Sequence, residues 1–237
     1  MLKAPKFWYQ SNFSILAILL LPLSLIWITG TYLKKKFAKP IRSKIPVIAI
    51  GSAIIGGSGK TPSVIYVCEI LEKIGYKPHV ISRGYGGSAN EVIKVSPEMS
   101  YSVVGDEAIM MSKYYPTWVS KNKYNAFAMA EKDGANILVL DDALQSYNIF
   151  KNLNIYVYDS IQSFGNKLIV PSGPLRESIN SVLNRSQIVF LVNTDNCLEI
   201  SKNKFQQNIN YEISIKPEMR DKRLMPFAGL GFNKKFF

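Results

Sequence analysis

Histidine and cysteine are nearly missing from this chain. One histidine, His79, and two cysteines, Cys68 and Cys197, occur in 237 residues. A His-based metal site therefore cannot be built, and without a CxxC spacing a zinc site or a disulfide framework is not expected. Sparse cysteine suits a reducing compartment. His79 opens an apolar run, PHVIS, and reads as a packing residue. Internal repeats and low-complexity tracts are absent as well. Acidic residues are in deficit: 29 lysines and arginines against 17 aspartates and glutamates leave a formal charge of +12. Such an excess calls for an acidic partner, either nucleic acid or an anionic lipid surface. The basic residues gather behind an apolar segment and no nucleic-acid motif is visible, so nucleic acid is not expected as a partner.

That apolar segment is the one long uncharged run. From Phe13 to Leu33 the chain reads FSILAILLLPLSLIWITGTYL. As a helix rising about 1.5 Å per residue it would cover roughly 30 Å, the thickness of a hydrocarbon core. Pro22 would kink such a helix without forbidding it in lipid. Trp27 and Tyr32 lie toward its end, where amphipathic rings favour an interface. Lys34, Lys35, Lys36, Lys39, Arg42 and Lys44 follow, against Lys3 and Lys6 before it, which sets the body of the protein on the cytoplasmic side. The expectation is an N-terminal membrane helix with a basic flank over residues 1–44, spanning or half-immersed. A cleaved signal peptide competes, but TGTYLKKK is a poor cleavage site. A buried core helix competes too, and the length of the uncharged run speaks against it.

After the flank, apolar runs alternate with amphipathic stretches, the pattern of an α/β sheet layered with helices. IPVIAIG, PHVIS, NILVLDD, NIYVYD, QIVFLVN and YEISIK read as strands. Thr61–Ile74, ending at Gly75, Gly105–Tyr115, ending before Pro116, and Ala126–Gly134 read as helices. The expected fold is a P-loop NTPase-like, mostly parallel sheet flanked by helices over 45–220. SRGYGGSANE and SFGNKLIVPSGPLRES are long loops, where function tends to sit.

The stretch GSAIIGGSGKT, Gly51–Thr61, resembles a P-loop, G-x-x-x-x-G-K-[ST], with Ile54 at the first glycine position. Its context is right: a strand precedes it and a helix follows. Backbone N–H groups must turn inward around phosphate oxygens, which asks for Gly59, helped by Gly56, Gly57 and Ser58. The positive helix end and the Lys60 ammonium meet the phosphates, and the Thr61 hydroxyl suits Mg²⁺. The first glycine mainly eases the turn, so Ile54 weakens the match without removing the chemistry. A glycine-rich turn with a chance lysine is the bland alternative. ILVLDD, Ile137–Asp142, supplies the apolar strand ending in carboxylates that would hold Mg²⁺ or its waters beside the P-loop.

Beyond these two motifs, GGSGKTP (56–62), SRGYGG (82–87), VGDE (104–107), LDDALQ (140–145), FGN (164–166), PSGPLRE (171–177) and FAGLG (227–231) occur in an order that resembles the tetraacyldisaccharide 4'-kinases, or lipid A 4'-kinases. The resemblance runs from the apolar N-terminus to the last residues. It implies an ATP-dependent phosphotransferase acting on the 4'-hydroxyl of a tetraacyldisaccharide 1-phosphate lipid A precursor, at the cytoplasmic face of the bacterial inner membrane, with the N-terminal helix docking onto that bilayer. It also implies a second lobe, of which 221–237 would be the start, and a histidine in that lobe assisting the catalytic aspartate. Departures from the family pattern are Ser52 and Ile54 in the loop, Ala143 for a glycine in DDALQ, and FAGLGFNKKFF (227–237) for a FAGIGNPERFF-like segment.

Roles follow from the chemistry of phosphoryl transfer, which needs a positioned nucleophile, a metal and charge neutralisation. Lys60 and the Gly56–Gly59 backbone would hold the ATP phosphates. Thr61 would ligate Mg²⁺, with Glu107, Asp141 and Asp142 bound directly or through water. By the resemblance, Asp106 is the base that takes the sugar hydroxyl proton. Arg83 and Arg176 suit bidentate phosphate contacts. Tyr85 could stack on a glucosamine ring and Gln145 could orient the aspartate pair. Bland alternatives stand beside these: a helix cap for Asp106, a turn carboxylate for Asp141, surface positions for both arginines. A membrane-tethered P-loop ATPase and a non-catalytic nucleotide-binding remnant are the competing functions.

Overall fold

The apolar run VIAIG forms β1, Val47–Gly51, and every residue of it is buried. Both of its faces are covered, which is why it reads as a continuous apolar run rather than an alternating one. The computed structural model describes residues 4–10, 14–194 and 204–209. Within them the further strands are β2 (Pro78–Ser82), β3 (Ile93–Val95), β4 (Thr117–Val119), β5 (Ile137–Leu140), β6 (Leu153–Asp159), β7 (Ile188–Val192) and β8 (Phe205–Ile209). They make one sheet in the order β3-β4-β2-β5-β1-β6-β7-β8, parallel except for β3 against β4. β5 pairs directly with β1, Val47 opposite Leu138 and Ala49 opposite Leu140, so the LDD segment leaves the sheet beside the loop after β1.

Two cores follow from the period-two alternation of the strands. Ile48, Ile50, Val80 and Val139 point to one face, where α3 (Lys60–Lys73) covers them with Val64, Val67, Cys68 and Leu71. Those four sit at the i, i+3, i+4, i+7 spacing of one helix face. Burying side chains of this size contributes about 1.5–3 kcal/mol each, less for the smaller Cys68. Ala49, Ile81, Leu138 and Leu140 point to the other face, under α6 (Phe127–Lys132) and α7 (Ile179–Arg185). His79 is buried on β2 and accepts a hydrogen bond from Trp118 Nε1 at 3.2 Å. Burial lowers its pKa, so the ring is neutral and its role is packing. Burial also pushes the Cys68 thiol up, leaving it inert.

The expected membrane helix takes another form. The run breaks into α1 (Ile15–Leu19) and α2 (Leu21–Lys36), with a turn at Leu20. Pro22 has no N–H to donate back across that point, so it sits in the first turn of a new helix instead of inside a continuous one. Among the described residues no helix is long and apolar enough to cross a membrane. One side of the pair is docked on the protein, through the buried Ala17 and Ser24, while Ile15, Leu19, Leu23, Leu25 and Ile26 remain exposed. The YEISIK strand, Cys197 and the segment 221–237 lie outside the described residues. Short β3 and β4, β8, α7, and the helix α4 (Tyr101–Val104) were not expected; α5 (Asp106–Ser112) fills most of the helix expected over Gly105–Tyr115.

Candidate active site

The loop from Ser52 to Gly59 carries β1 into α3. Gly59, the residue before the first helical turn, has φ 75°, a left-handed conformation that a side chain would strain. Lys60 opens the helix and bends back over the loop, its ammonium donating to Gly56 O at 3.0 Å and reaching Ser58 Oγ at 3.4 Å. The Lys60 ammonium and the positive end of α3 thus meet at the loop, as phosphate binding requires. Ile54 is not a defect in this loop. It is 2% exposed in the core and pairs antiparallel with Leu175. Ile55 N–H donates to Pro174 O at 2.9 Å and Arg176 N–H to Ala53 O at 2.7 Å. The PSGPLRE segment therefore straps the loop in place, and an apolar side chain at 54 anchors the strap.

Asp141 and Asp142 follow β5. Asp141 is buried, with Oδ2 accepting from Ser82 Oγ at 2.9 Å and Oδ1 left without a hydrogen bond. Burial raises its pKa against the pull of Lys123. Asp142 has φ 46° and turns both carboxylate oxygens to Arg176 Nη1, each at 2.9 Å. Burial would raise its pKa, but Lys60, Arg176 and Lys123 together outweigh burial and hold it at about 2. It is ionised at neutral pH. Glu107, though solvent-exposed as a residue, goes the other way, to about 7: desolvation of its carboxylate raises it, the Asp141, Asp106 and Asp142 carboxylates add to the rise, and Lys60 only partly offsets them. Lys60, Glu107, Asp141 and Asp142 are thus within each other's electrostatic reach, and the structure brings the two sequence motifs into one cluster.

Asp106 is the first residue of α5 and accepts the Glu107 N–H at 3.0 Å. It is exposed, and the capping position before it belongs to Gly105, at φ 84°. A Cβ on Gly105 would collide with Tyr85 O, so the SRGYGG and VGDE loops lie backbone to backbone. Arg83 is exposed on the first of these loops, and Tyr85 is 76% exposed. Arg176, expected on a phosphate, and Gln145, expected to orient the aspartate pair, are both held by neighbouring protein groups. The Arg176 guanidinium is engaged with Asp142, and Gln145 Nε2 donates to Ser52 O at 3.1 Å and Glu177 Oε1 at 3.0 Å. Gln145 reaches the aspartate pair only through Arg176, 3.4 Å from its Oε1.

Two features went unread in the sequence. Lys123, 4% exposed, donates its ammonium to the main-chain oxygen of Asp141 and, at 3.4 Å, to that of Asp142. It sits in SKNKYNAF, which matches no motif. Glu177 accepts a fork from Arg185 Nη1 and Nη2 at 2.7 Å each, and it anchors Gln145; its place after Arg176 in PSGPLRE was the available signal.

Among the described residues no three His, Cys, Asp or Glu converge at metal-ligating spacing. A magnesium ion would therefore draw on nucleotide and water oxygens besides the protein's. The donors at hand fit it: Thr61, Glu107, Asp142 and the unpartnered Asp141 Oδ1 are all hard oxygen donors, and mutual carboxylate repulsion would be relieved by a cation.

A family model described as tetraacyldisaccharide-1-P 4'-kinase matches residues 16–237. The tetraacyldisaccharide 4'-kinase of Rhodospirillum centenum is 31% identical over 245 residues, covering 100% of this chain and 73% of that protein. That of Psychromonas ingrahamii is 34% identical over 251 residues, covering 98% and 74%. The crystal structure of LpxK from Aquifex aeolicus in complex with ATP superposes with a TM-score of 0.71 at 25% identity, covering 82% of this chain and 64% of that one. On sequence and on fold, the chain belongs to the tetraacyldisaccharide 4'-kinase family.

Proposed function

We propose that this protein is an ATP-dependent lipid kinase that transfers the γ-phosphate to the 4'-hydroxyl of a tetraacyldisaccharide 1-phosphate. One observation carries the proposal: a strapped P-loop whose Lys60 lies within electrostatic reach of the Glu107, Asp141 and Asp142 carboxylates, in a chain of this family. Lys60 and the loop amides bind the triphosphate and draw off charge as the bond to the leaving oxygen loosens. Asp106, exposed at the start of α5, takes the proton as the sugar oxygen attacks phosphorus and ADP departs. Arg83 and Tyr85, open on the adjoining loop, meet the disaccharide. Arg176 holds Asp142 in its left-handed turn so that one carboxylate stays ionised toward the phosphates. Thr61, Asp142 and Glu107 would hold a magnesium ion, which would supply neutralisation of phosphate charge.

The exposed apolar side of α1 and α2, followed by Lys34, Lys35, Lys36 and Lys39, lies on the lipid surface that holds the substrate, at the cytoplasmic face of the bacterial inner membrane. Each basic residue near an anionic surface adds about 1 kcal/mol. The test uses the full chain in detergent with γ-labelled ATP and the tetraacylated disaccharide 1-phosphate. Label must appear in the lipid at the 4'-position. Label released only as free phosphate would make the protein an ATPase instead, and bound nucleotide without any transfer would make it a non-catalytic binder.

A further inference from the structure

The N-terminal helices reach the nucleotide loop through a short chain of contacts that involves no lipid. Ser24 on α2 is buried, with Oγ donating to Ile169 O at 2.8 Å, lying 2.8 Å from Ser172 Oγ and accepting the Ser172 N–H at 3.2 Å. Nearly one turn on, Trp27 Nε1 donates to Arg176 O at 2.9 Å. Both contacts fall on residues 169–176, the strap whose backbone also pairs with Ala53, Ile54 and Ile55. Arg176 is the joint: its carbonyl is held by Trp27, its N–H by the nucleotide loop, and its guanidinium holds Asp142. Among the described residues no strand of the main sheet pairs with the strap, which is held by α2, by Trp8 Nε1 donating to Pro171 O, by Asn166 Nδ2 donating to Ser172 O and by the nucleotide loop, so its position depends on these grips. The opposite face of α2 is free of such duties, with Leu25 65% and Ile26 68% exposed.

We propose that Trp27 and Ser24 are positioning residues for the nucleotide site: they fix the strap, the strap fixes the loop and the Arg176–Asp142 pair, and ATP affinity therefore depends on docking of α2 independently of its contact with lipid. This rests on the P-loop reading above. The two faces of one helix then have separable functions. The docked face sets nucleotide affinity, and the open face sets attachment to the bilayer.

The experiment measures binding of a fluorescent ATP analogue to the full chain in detergent without lipid, and partition of the same variants onto anionic vesicles. Trp27→Phe and Ser24→Ala, singly and together, weaken the nucleotide about three- to tenfold; the buried Ser24→Ala leaves vesicle partition unchanged, and Trp27→Phe, which keeps an aromatic ring at a position 45% exposed, changes partition less than Leu25→Ser with Ile26→Ser. Leu25→Ser with Ile26→Ser does the reverse. Saturating amplitude reports the folded fraction, so misfolding lowers amplitude whereas lost positioning lowers affinity. In an Arg176→Ala background the Trp27→Phe effect shrinks, because the link to Asp142 is already cut. Wild-type affinity in the Ser24→Ala, Trp27→Phe double variant, or full additivity with Arg176→Ala, overturns the inference. Absence of nucleotide binding by the wild type overturns the P-loop reading itself, a separate result.

Discussion

Replacing Lys123 by methionine tests whether a buried ammonium holds the carboxylate pair in place. Lys123→Met keeps much of the stem volume and removes the charge. Two effects oppose each other. Losing a buried ammonium relieves its desolvation, which amounts to several kcal/mol. Against this, the Asp141 and Asp142 carbonyls lose a charged donor, at about 1.5–3 kcal/mol each, and the buried Asp141 side chain loses the cation that most lowers its pKa. Breaking one side of a buried charge pair costs about 3–5 kcal/mol in general. Asp141 can limit that loss by taking a proton, so the net destabilisation is about 2–4 kcal/mol near neutral pH. For a protein of this size about 2–4 °C of Tm accompanies each kcal/mol, giving a drop of roughly 5–15 °C. The direction with pH is fixed. Burial already raises the Asp141 pKa with Lys123 present and removing the ammonium raises it further, so stability falls more steeply with rising pH in the variant and its deficit against wild type is larger at pH 8 than at pH 5.5. Thermal denaturation at both pH values, with transfer assays alongside, measures it. A Tm within a degree or two of wild type at both would refute the role given to Lys123.

Three further outcomes follow from the same site. Gly105→Ala sets a side chain at φ 84° against Tyr85 O and separates the two loops that carry Arg83 and Asp106; a loss of about 1–3 kcal/mol in denaturant unfolding is expected, together with a fall in kcat. Glu107, raised to about 7, binds a proton in the folded protein that the unfolded chain does not hold above about pH 4.5. Its contribution to nucleotide-free stability therefore declines as pH rises from 4.5 through 7, and Glu107→Gln flattens that part of the profile; an unchanged slope would contradict the shift. Asp106→Ala lowers kcat by about 10²–10⁴ while ATP affinity stays near wild type, and near-normal turnover would remove Asp106 from the role of base.

Much of the sheet could be read in advance because β1, β5 and β7 are short apolar runs buried on both faces, and β2 and β6 carry β-branched or aromatic residues at their centres. The three-residue strands β3 and β4 carry too few side chains for any periodicity, and their existence depends on pairing with each other and with β2. Gly56–Thr61 and the LDD strand end were legible because phosphate and cation chemistry restrict residue type at fixed spacing. Arg176 was legible as important but not in its partner, since whether a guanidinium faces solvent or Asp142 is decided by the strap. Lys123 had no local signal at all; its burial is a tertiary event. The N-terminal run misled on continuity, as the Pro22 break at Leu20 combined with hydrogen bonds from Ser24 and Trp27 that hydropathy cannot register.

The central claim is that Lys60 and the strapped loop grip a nucleoside triphosphate. Equilibrium binding of Mg·ATP to the purified full chain in detergent, compared with Lys60→Ala, tests it most directly. The account predicts saturable binding by the wild type and a loss of at least about tenfold in the variant, the scale of a charge-assisted phosphate contact. Equal affinity in the two proteins, or no saturable binding in either, would contradict it.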